Sequence, residues 1–302
     1  MGFEPGYIRL YREGRLGERI ERGRAMLREC SLCPRACGVD RLSGQTGYCA
    51  SGGNVVVASY GPHFGEEFPL VGSNGSGTIF LSSCNLLCVF CQNYEISKLA
   101  EGYEMSLARL GSVMARLCRS GCHNINFVSP THFVPQILEA LPLAVEQGLD
   151  VPLVYNTGGY DSVETIRLLQ DVFDIYMPDF KFWDSAPAER YCNAPDYREA
   201  SSAAMLEMHR QVGDLAMDGN GIAVRGLLVR HLVMPGGAAG TPQVMKFLAE
   251  MSPDTYVNIM DQYRPCGLAA DYPEIARRIT PREYREAIQS ALDAGLTRLD
   301  KR

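Results

Sequence analysis

The 302-residue sequence lacks any run of eighteen consecutive apolar residues, so it predicts no membrane-spanning helix. Its opening, Met1-Gly2-Phe3-Glu4-Pro5-Gly6, lacks the basic segment and apolar run of a secretory leader, which points to the cytoplasm. An excess of positive charge is missing too. The 29 Lys+Arg stand against 35 Asp+Glu, a net charge of -6, which argues against a protein that neutralises nucleic-acid phosphates over a wide surface. Short-period repeats and low-complexity stretches are absent. With 46% hydrophobic and 9% aromatic residues, intrinsic disorder is excluded for the chain as a whole, and its length suffices for a substantial core.

Cysteine, by contrast, is abundant. Eleven thiols in a reducing compartment point to metal binding or redox chemistry rather than structural disulfides, and an odd number does not suit a fully paired framework.

Three textures follow one another along the chain. Residues 7–29, rich in Arg and Glu, read as a helical arm. Residues 30–77 hold four cysteines, many glycines and one clear strand, Val55–Ser59, and build little core of their own. From Thr78 onward short apolar strands alternate with amphipathic helices. Strands are expected at 78–81, 125–128, 153–155, 175–177, 227–233 and 256–260, with helices at 107–118, 135–147, 162–169, 200–212, 242–251 and 281–294. Thr280 and Pro281 form the start signal of the last helix. The expected division is an N-terminal arm and metal module over 1–77 and an α/β domain over 78–302. Strands alternating with helices imply a parallel sheet, whose chemistry sits at the strands' carboxyl ends.

The loop after the first of these strands reads Ser83-Cys84-Asn85-Leu86-Leu87-Cys88-Val89-Phe90-Cys91-Gln92-Asn93-Tyr94. Its C-x3-C-x2-C spacing puts three thiolates on one tight loop, enough to hold three irons of a [4Fe–4S] cube, and no fourth cysteine follows nearby. A zinc loop or three inert thiols is the bland alternative.

With Phe90 directly before Cys91, this loop resembles the C-x3-C-x-aromatic-C signature of the radical S-adenosylmethionine (SAM) superfamily. The resemblance implies a partial (β/α)6 barrel of parallel strands and an open iron that chelates SAM. After the second strand, Phe127-Val128-Ser129-Pro130-Thr131-His132-Phe133 stands where activating enzymes of that family carry Gly-Gly-Glu-Pro, so only the location carries over. Ser129 and Thr131 are the polar candidates there, and His132 is as readily a packing residue. Asn156-Thr157-Gly158-Gly159 is similar to the family's polar cofactor-contacting turn, and Asp179-Phe180-Lys181 to its Asp-x-Lys element. A plain salt bridge remains the alternative for Asp179 and Lys181. Arg230, inside an apolar strand, needs a partner or an anion, for which the SAM carboxylate is a candidate. Cys266, at the rim after the sixth strand, reads as an inert thiol before it reads as a hydrogen-atom donor.

Ahead of the barrel, Cys30, Cys33, Cys37 and Cys49 give C-x2-C-x3-C-x11-C. Four thiolates in a glycine-rich segment fit a structural zinc site, with a second [4Fe–4S] cluster as the competing reading. The stretch Gly61-Pro62-His63-Phe64-Gly65-Glu66-Glu67-Phe68 and the Cys91-Gln92-Asn93-Tyr94 run complete a likeness to a radical SAM branch similar to the pyruvate formate-lyase activating enzyme. Glu66 and Glu67 are then candidates for substrate contact or an exposed loop pair. The likeness implies a flavodoxin- or ferredoxin-type electron donor and, as substrate, a glycine of a partner enzyme, a peptide or a small molecule. A non-catalytic iron–sulfur carrier is the alternative of another class, and it has no use for polar residues at the barrel's open end.

Overall fold

In the computed structural model, which describes residues 3–300, the apolar runs pair into an open, mostly parallel sheet. Strand β1 (Val55–His63) runs antiparallel to β2 (Ser76–Leu81), and β3 (Tyr103–Met105) is antiparallel to β1. From β2 the direction is uniform. β4 (Ile125–Val128), β5 (Leu153–Thr157) and β6 (Ile175–Pro178) add in parallel, each beside the last. The two-residue β7 (Ala216–Met217) lies antiparallel on β8 (Ala223–Leu232), which pairs in parallel with β6 and with β9 (Tyr256–Met260). The six parallel strands follow chain order, as strands joined by helical crossovers do.

β5 and β6 are buried along their whole length, so both faces are covered and no alternation is needed. The expected helices form between the strands, with ends shifted by a few residues. Leu107–Arg119 starts where the Ser106 side chain accepts a hydrogen bond from the Arg109 amide. Pro281–Asp293 begins with a capping box in which Thr280 and Glu283 satisfy each other's backbone amides.

The N-terminal arm is two helices rather than one, Gly6–Arg12 and Leu16–Ala25, parted around Gly14 at φ 69°. The arm does not stand off from the barrel. The Gly6 amide donates to the buried Asp174 carboxylate at 2.9 Å, and Tyr7, Leu10 and Leu16 belong to the same core as the sheet. Between the arm and β1 the only regular element is a short 3-10 turn, Arg41–Ser43, over a small cluster of Leu27, Cys30 and Leu32. Two arginines fasten this segment to the barrel. Arg35 Nε donates to the Asn85 carbonyl (3.0 Å) and its Nη2 to the Cys192 carbonyl (2.9 Å). Arg41, 1% exposed, donates to the carbonyls of His132 (2.6 Å) and Gly52 (2.7 Å). The carboxyl ends of β2, β4, β5, β6, β8 and β9 therefore open on one side, with the cysteine loop among them.

Candidate active site

The loop from Ser82 to Asn93 is bent by two non-glycine residues in the left-handed region, Ser83 (φ 72°) and Leu87 (φ 52°). Neighbours hold that shape. The Val89 amide donates to the Tyr191 carbonyl at 2.9 Å, and the Leu268 amide to the Val89 carbonyl at 2.7 Å. Phe90 is buried with its ring edge-on to Phe182 at 5.9 Å. Cys84, Cys88 and Cys91 then share the wall of one cavity of about 1030 Å³, its open mouth included. Cys84 Sγ accepts from the Leu86 amide (3.4 Å), Cys91 Sγ from the Ser97 hydroxyl (3.1 Å), and Cys88 Sγ lies 3.2 Å from Cys192 Sγ. Burial pushes the Cys84 thiol up to about 12 and raises Cys91. Cys88 is raised further by the Cys192 contact and by burial. No three His, Cys, Asp or Glu side chains among the described residues are grouped to hold a metal ion. Three thiols spread around one roomy cavity suit a multi-iron cluster, whose edges separate its ligands.

Phe90 lines the cavity from the loop itself, and opposite the loop it is lined by Ser129, Asn156, Gly158, Asp179, Lys181 and Arg230. Asp179 is paired twice, with Lys181 Nζ at 2.5 Å and Arg230 Nε at 2.8 Å, and Arg230 Nη2 donates to Asn156 Oδ1 at 2.6 Å. Burial alone would raise Asp179, yet Arg230 and Lys181 outweigh it and hold the carboxyl low. Burial likewise opposes the charge on Lys181, and Asp179 reverses that, keeping the ammonium protonated. Gly159 is required, whereas a Cβ at Gly158 would press only on the end of the Leu86 side chain. A Cβ on Gly159, at φ 82°, would stand 2.1 Å from the Asp179 carbonyl, and one on Gly158 would stand 2.8 Å from Leu86 of the cysteine loop. Ser129 is itself left-handed (φ 57°), its amide tied to the Asn156 carbonyl at 2.8 Å.

Two residues of the second strand end turn away from this cavity. Thr131, expected at the cofactor, is buried and donates to Asp161 at 2.7 Å instead. His132 is buried with Nε2 2.8 Å from the Ser82 carbonyl, and burial lowers it to about 4, so it is neutral at pH 7. Its role is to brace the entrance of the cysteine loop. Asp161 was not singled out from the sequence, yet it also accepts from Tyr155 (2.9 Å) and Thr157 (2.7 Å). Cys266 is half-buried and lines neither the cysteine cavity nor the one beside it.

That neighbouring cavity, about 890 Å³ with its mouth, shares Phe80, Asn93, Val128, Asn156, Arg230, Met260 and Gln262 with the first. Glu66 and Glu67 wall it and are not an exposed pair: they are 7% and 4% exposed. Glu66 Oε1 is 2.8 Å from His63 Nδ1, and Glu67 Oε1 accepts from Asn258 at 2.9 Å.

Cys30, Cys33, Cys37 and Cys49 line a third, small cavity together with Arg35, Arg41, Asn85 and His132. Burial raises Cys33 to about 12. Asn85, next to Cys84, lines this cavity, and its Oδ1 lies 3.9 Å from Cys84 Sγ.

An open, mostly parallel α/β sheet with a three-thiol loop at its carboxyl end is the layout of an iron–sulfur partial barrel. The chain belongs to the radical SAM superfamily: residues 78–236, slightly more than half of it, match that family's model. Uncharacterized protein MJ0674 of Methanocaldococcus jannaschii is 30% identical over 282 residues, covering 90% of this chain and 77% of that protein. HydG, a maturase of the [FeFe]-hydrogenase, has the same fold at 10% identity, with a TM-score of 0.50 over 94% of this chain and 55% of that one. Native anSMEcpe with bound AdoMet overlays at 13% identity and a TM-score of 0.48, over 70% of this chain. The present chain spans 57% of the length of anSMEcpe. No helix among the described residues is long and apolar enough to cross a membrane.

Proposed function

We propose that the protein is a radical SAM enzyme that cleaves SAM reductively and uses the product radical to take a hydrogen atom from a substrate. The observation that carries this reading is the single cavity in which Cys84, Cys88 and Cys91 face Asn156, Asp179, Lys181 and Arg230. A [4Fe–4S] cluster held by Cys84, Cys88 and Cys91 would supply one-electron reduction of SAM at this cavity. The three thiolates hold the cluster. Asp179 and Lys181 present a carboxylate and an ammonium, complementary to the zwitterionic end of SAM, and Arg230 offers a guanidinium for its carboxylate. Asn156 keeps Arg230 oriented, and Ser129 adds polar groups at the neighbouring strand end. Phe90 and Leu86 pack the loop and keep water from it.

The electron comes from a flavodoxin- or ferredoxin-type donor in a low-oxygen cytoplasm. The small cavity shared by Cys30, Cys33, Cys37 and Cys49 supports zinc or a second [4Fe–4S] cluster there, although no three of these thiols already surround a single ion. As in activating enzymes, a glycine of a partner enzyme is one substrate. The enclosed polar chamber beside the site favours the other class, a small molecule or a peptide side chain.

The test is anaerobic incubation of the reconstituted protein with SAM and dithionite, with 5′-deoxyadenosine measured by mass spectrometry and Cys88→Ala as control. Product from the wild type alone supports the reading. No product from either protein, with the wild-type cluster intact, removes it and favours a carrier.

A further inference from the structure

The chamber beside the cysteine cavity is acidic in an unusually committed way. Its cations are already matched: Lys181 and Arg230 both pair with Asp179, and Arg230 stands 4.0 Å from Glu67 Oε1. Asp179 and Glu67 together balance Lys181 and Arg230. That leaves Glu66, bound to His63, and Asp261 at the exposed mouth, neither paired with a lysine or arginine among the described residues. Glu67 adds an independent sign. Its side chain is 4% exposed, one oxygen is taken by Asn258, and the other, Oε2, has no hydrogen-bond partner. Burial raises its pKa over the opposing pull of Arg230, and a cation placed beside it would favour the charged carboxylate. A buried acceptor without a donor is costly, and a ligand N–H that the Glu67 side chain turns to meet would remove that cost.

The remaining walls are mixed. Phe80, Val128 and Met260 border both cavities beside Asn93, Asn156 and Gln262, and form an apolar strip along the passage between Glu67 and the cysteine loop. A ligand that fits is cationic with N–H donors at one end and hydrocarbon along its stem.

Resting on the function proposed above, we propose that this chamber is the substrate-recognition subsite. It takes the ammonium or guanidinium end of an aliphatic chain against Glu67 and Glu66. The carbons of that chain then run past Phe80, Val128 and Met260 towards the cavity of Cys84, Cys88 and Cys91. The cation therefore sets which carbon reaches the radical, since the charged end is fixed and the stem length is not. A free amine and a lysine side chain of a peptide offer the same chemistry.

The test measures binding to the reconstituted, SAM-loaded protein under anaerobic conditions by calorimetry and ligand-observed NMR. The probes are cadaverine, agmatine and Nα-acetyl-lysine methylamide, each against a neutral isostere: 1,5-pentanediol, pentanol and the norleucine amide. The cations are expected to bind at least about tenfold more tightly than their isosteres, and Glu67→Gln to lose about that factor. Glu66→Gln, in a carboxylate that already has His63 as a partner, is expected to weaken the same probes, which guards against a fold defect peculiar to Glu67→Gln. Binding by the diamines alone assigns a free amine, and binding by the lysine amide alone assigns a peptide. Equal binding of the isosteres, no cation binding at millimolar concentration, or full binding by both variants overturns the proposal. In the same wild-type preparation, 5′-deoxyadenosine formed without amine reads the SAM cleavage itself. Its absence sinks the parent function, whereas its presence beside charge-blind binding sinks only the subsite.

Discussion

The sulfur of Cys192 lies 3.2 Å from the sulfur of Cys88, the middle cysteine of the loop, although 104 residues separate them in the chain. Both are buried. In the cluster-free protein this pair is placed for oxidation: a diazene oxidant such as diamide takes two electrons and two protons, and the two thiols become one disulfide. Oxidised apoprotein is expected to lose iron uptake and to regain it with dithiothreitol, while Cys192→Ala resists. Peptide mapping for the Cys88–Cys192 cross-link checks this, and equal loss of iron uptake in Cys192→Ala would contradict it.

Arg35 stands between Cys33 and Cys37, yet its guanidinium reaches the carbonyls of Asn85, Cys192 and Asn193 and stacks over Tyr48 at 3.9 Å. It joins the four-cysteine segment to both sides of the loop. Arg35→Ala is expected to lower unfolding free energy in urea by about 2–4 kcal/mol, given charged hydrogen bonds lost at partly buried carbonyls. Arg35→Lys is expected to rescue little of it, because an ammonium lacks the planar fork that serves separate acceptors. A wild-type urea midpoint in either variant would count against this role.

The raised thiols set a pH dependence for cluster loading. Burial holds Cys84 and Cys91 protonated at pH 7, and the Cys192 contact and burial do so for Cys88. Each must release its proton to bind iron, so apparent affinity rises with pH, by up to about tenfold per pH unit for each proton released. Anaerobic reconstitution from about pH 7 to about pH 8.5 should show rising iron occupancy with measurable proton release. Flat occupancy across that window would refute the linkage.

Asp161 is a 1%-exposed carboxylate that gathers the hydroxyls of Thr131, Tyr155 and Thr157. Removing it leaves three buried donors without their acceptor. Asp161→Ala is expected to cost about 3 kcal/mol in urea unfolding. It should also weaken SAM binding in equilibrium dialysis, because Thr157 Oγ1 accepts the Gly159 amide and Asn156 precedes it. Unaltered stability with unaltered SAM binding would remove Asp161 from this role.

Much of the site was legible beforehand because its signals are local. The C-x3-C-x2-C spacing constrains three thiols within one loop, and polar residues at the ends of apolar strands fall on one side of a parallel sheet. Asn156, Asp179 and Lys181, read from their likeness to the family's strand ends, and Arg230, read from its place inside an apolar strand, line the cavity. Thr131 lies outside that cavity. It follows its strand by a left-handed turn at Ser129 and a 3-10 turn, and once the chain leaves the strand, alternation no longer fixes where a side chain points. Cys192 and Asp161 carried no local mark at all. Arg35 lay in plain view inside the cysteine motif, but nothing in Cys-Pro-Arg-Ala-Cys tells that its partners are 50 and 157 residues away.

By itself, then, the sequence determined the parallel α/β order, the three-thiol loop and the polar strand ends, because each depends on neighbours a few residues apart and on the periods of strand and helix. Only the tertiary structure decided which charges cancel, which carboxylate is left without a donor, and which thiol sits against Cys88. Those outcomes depend on packing between distant segments, where burial strengthens every electrostatic contact and a displacement of one hydrogen-bond length decides whether a partner is present.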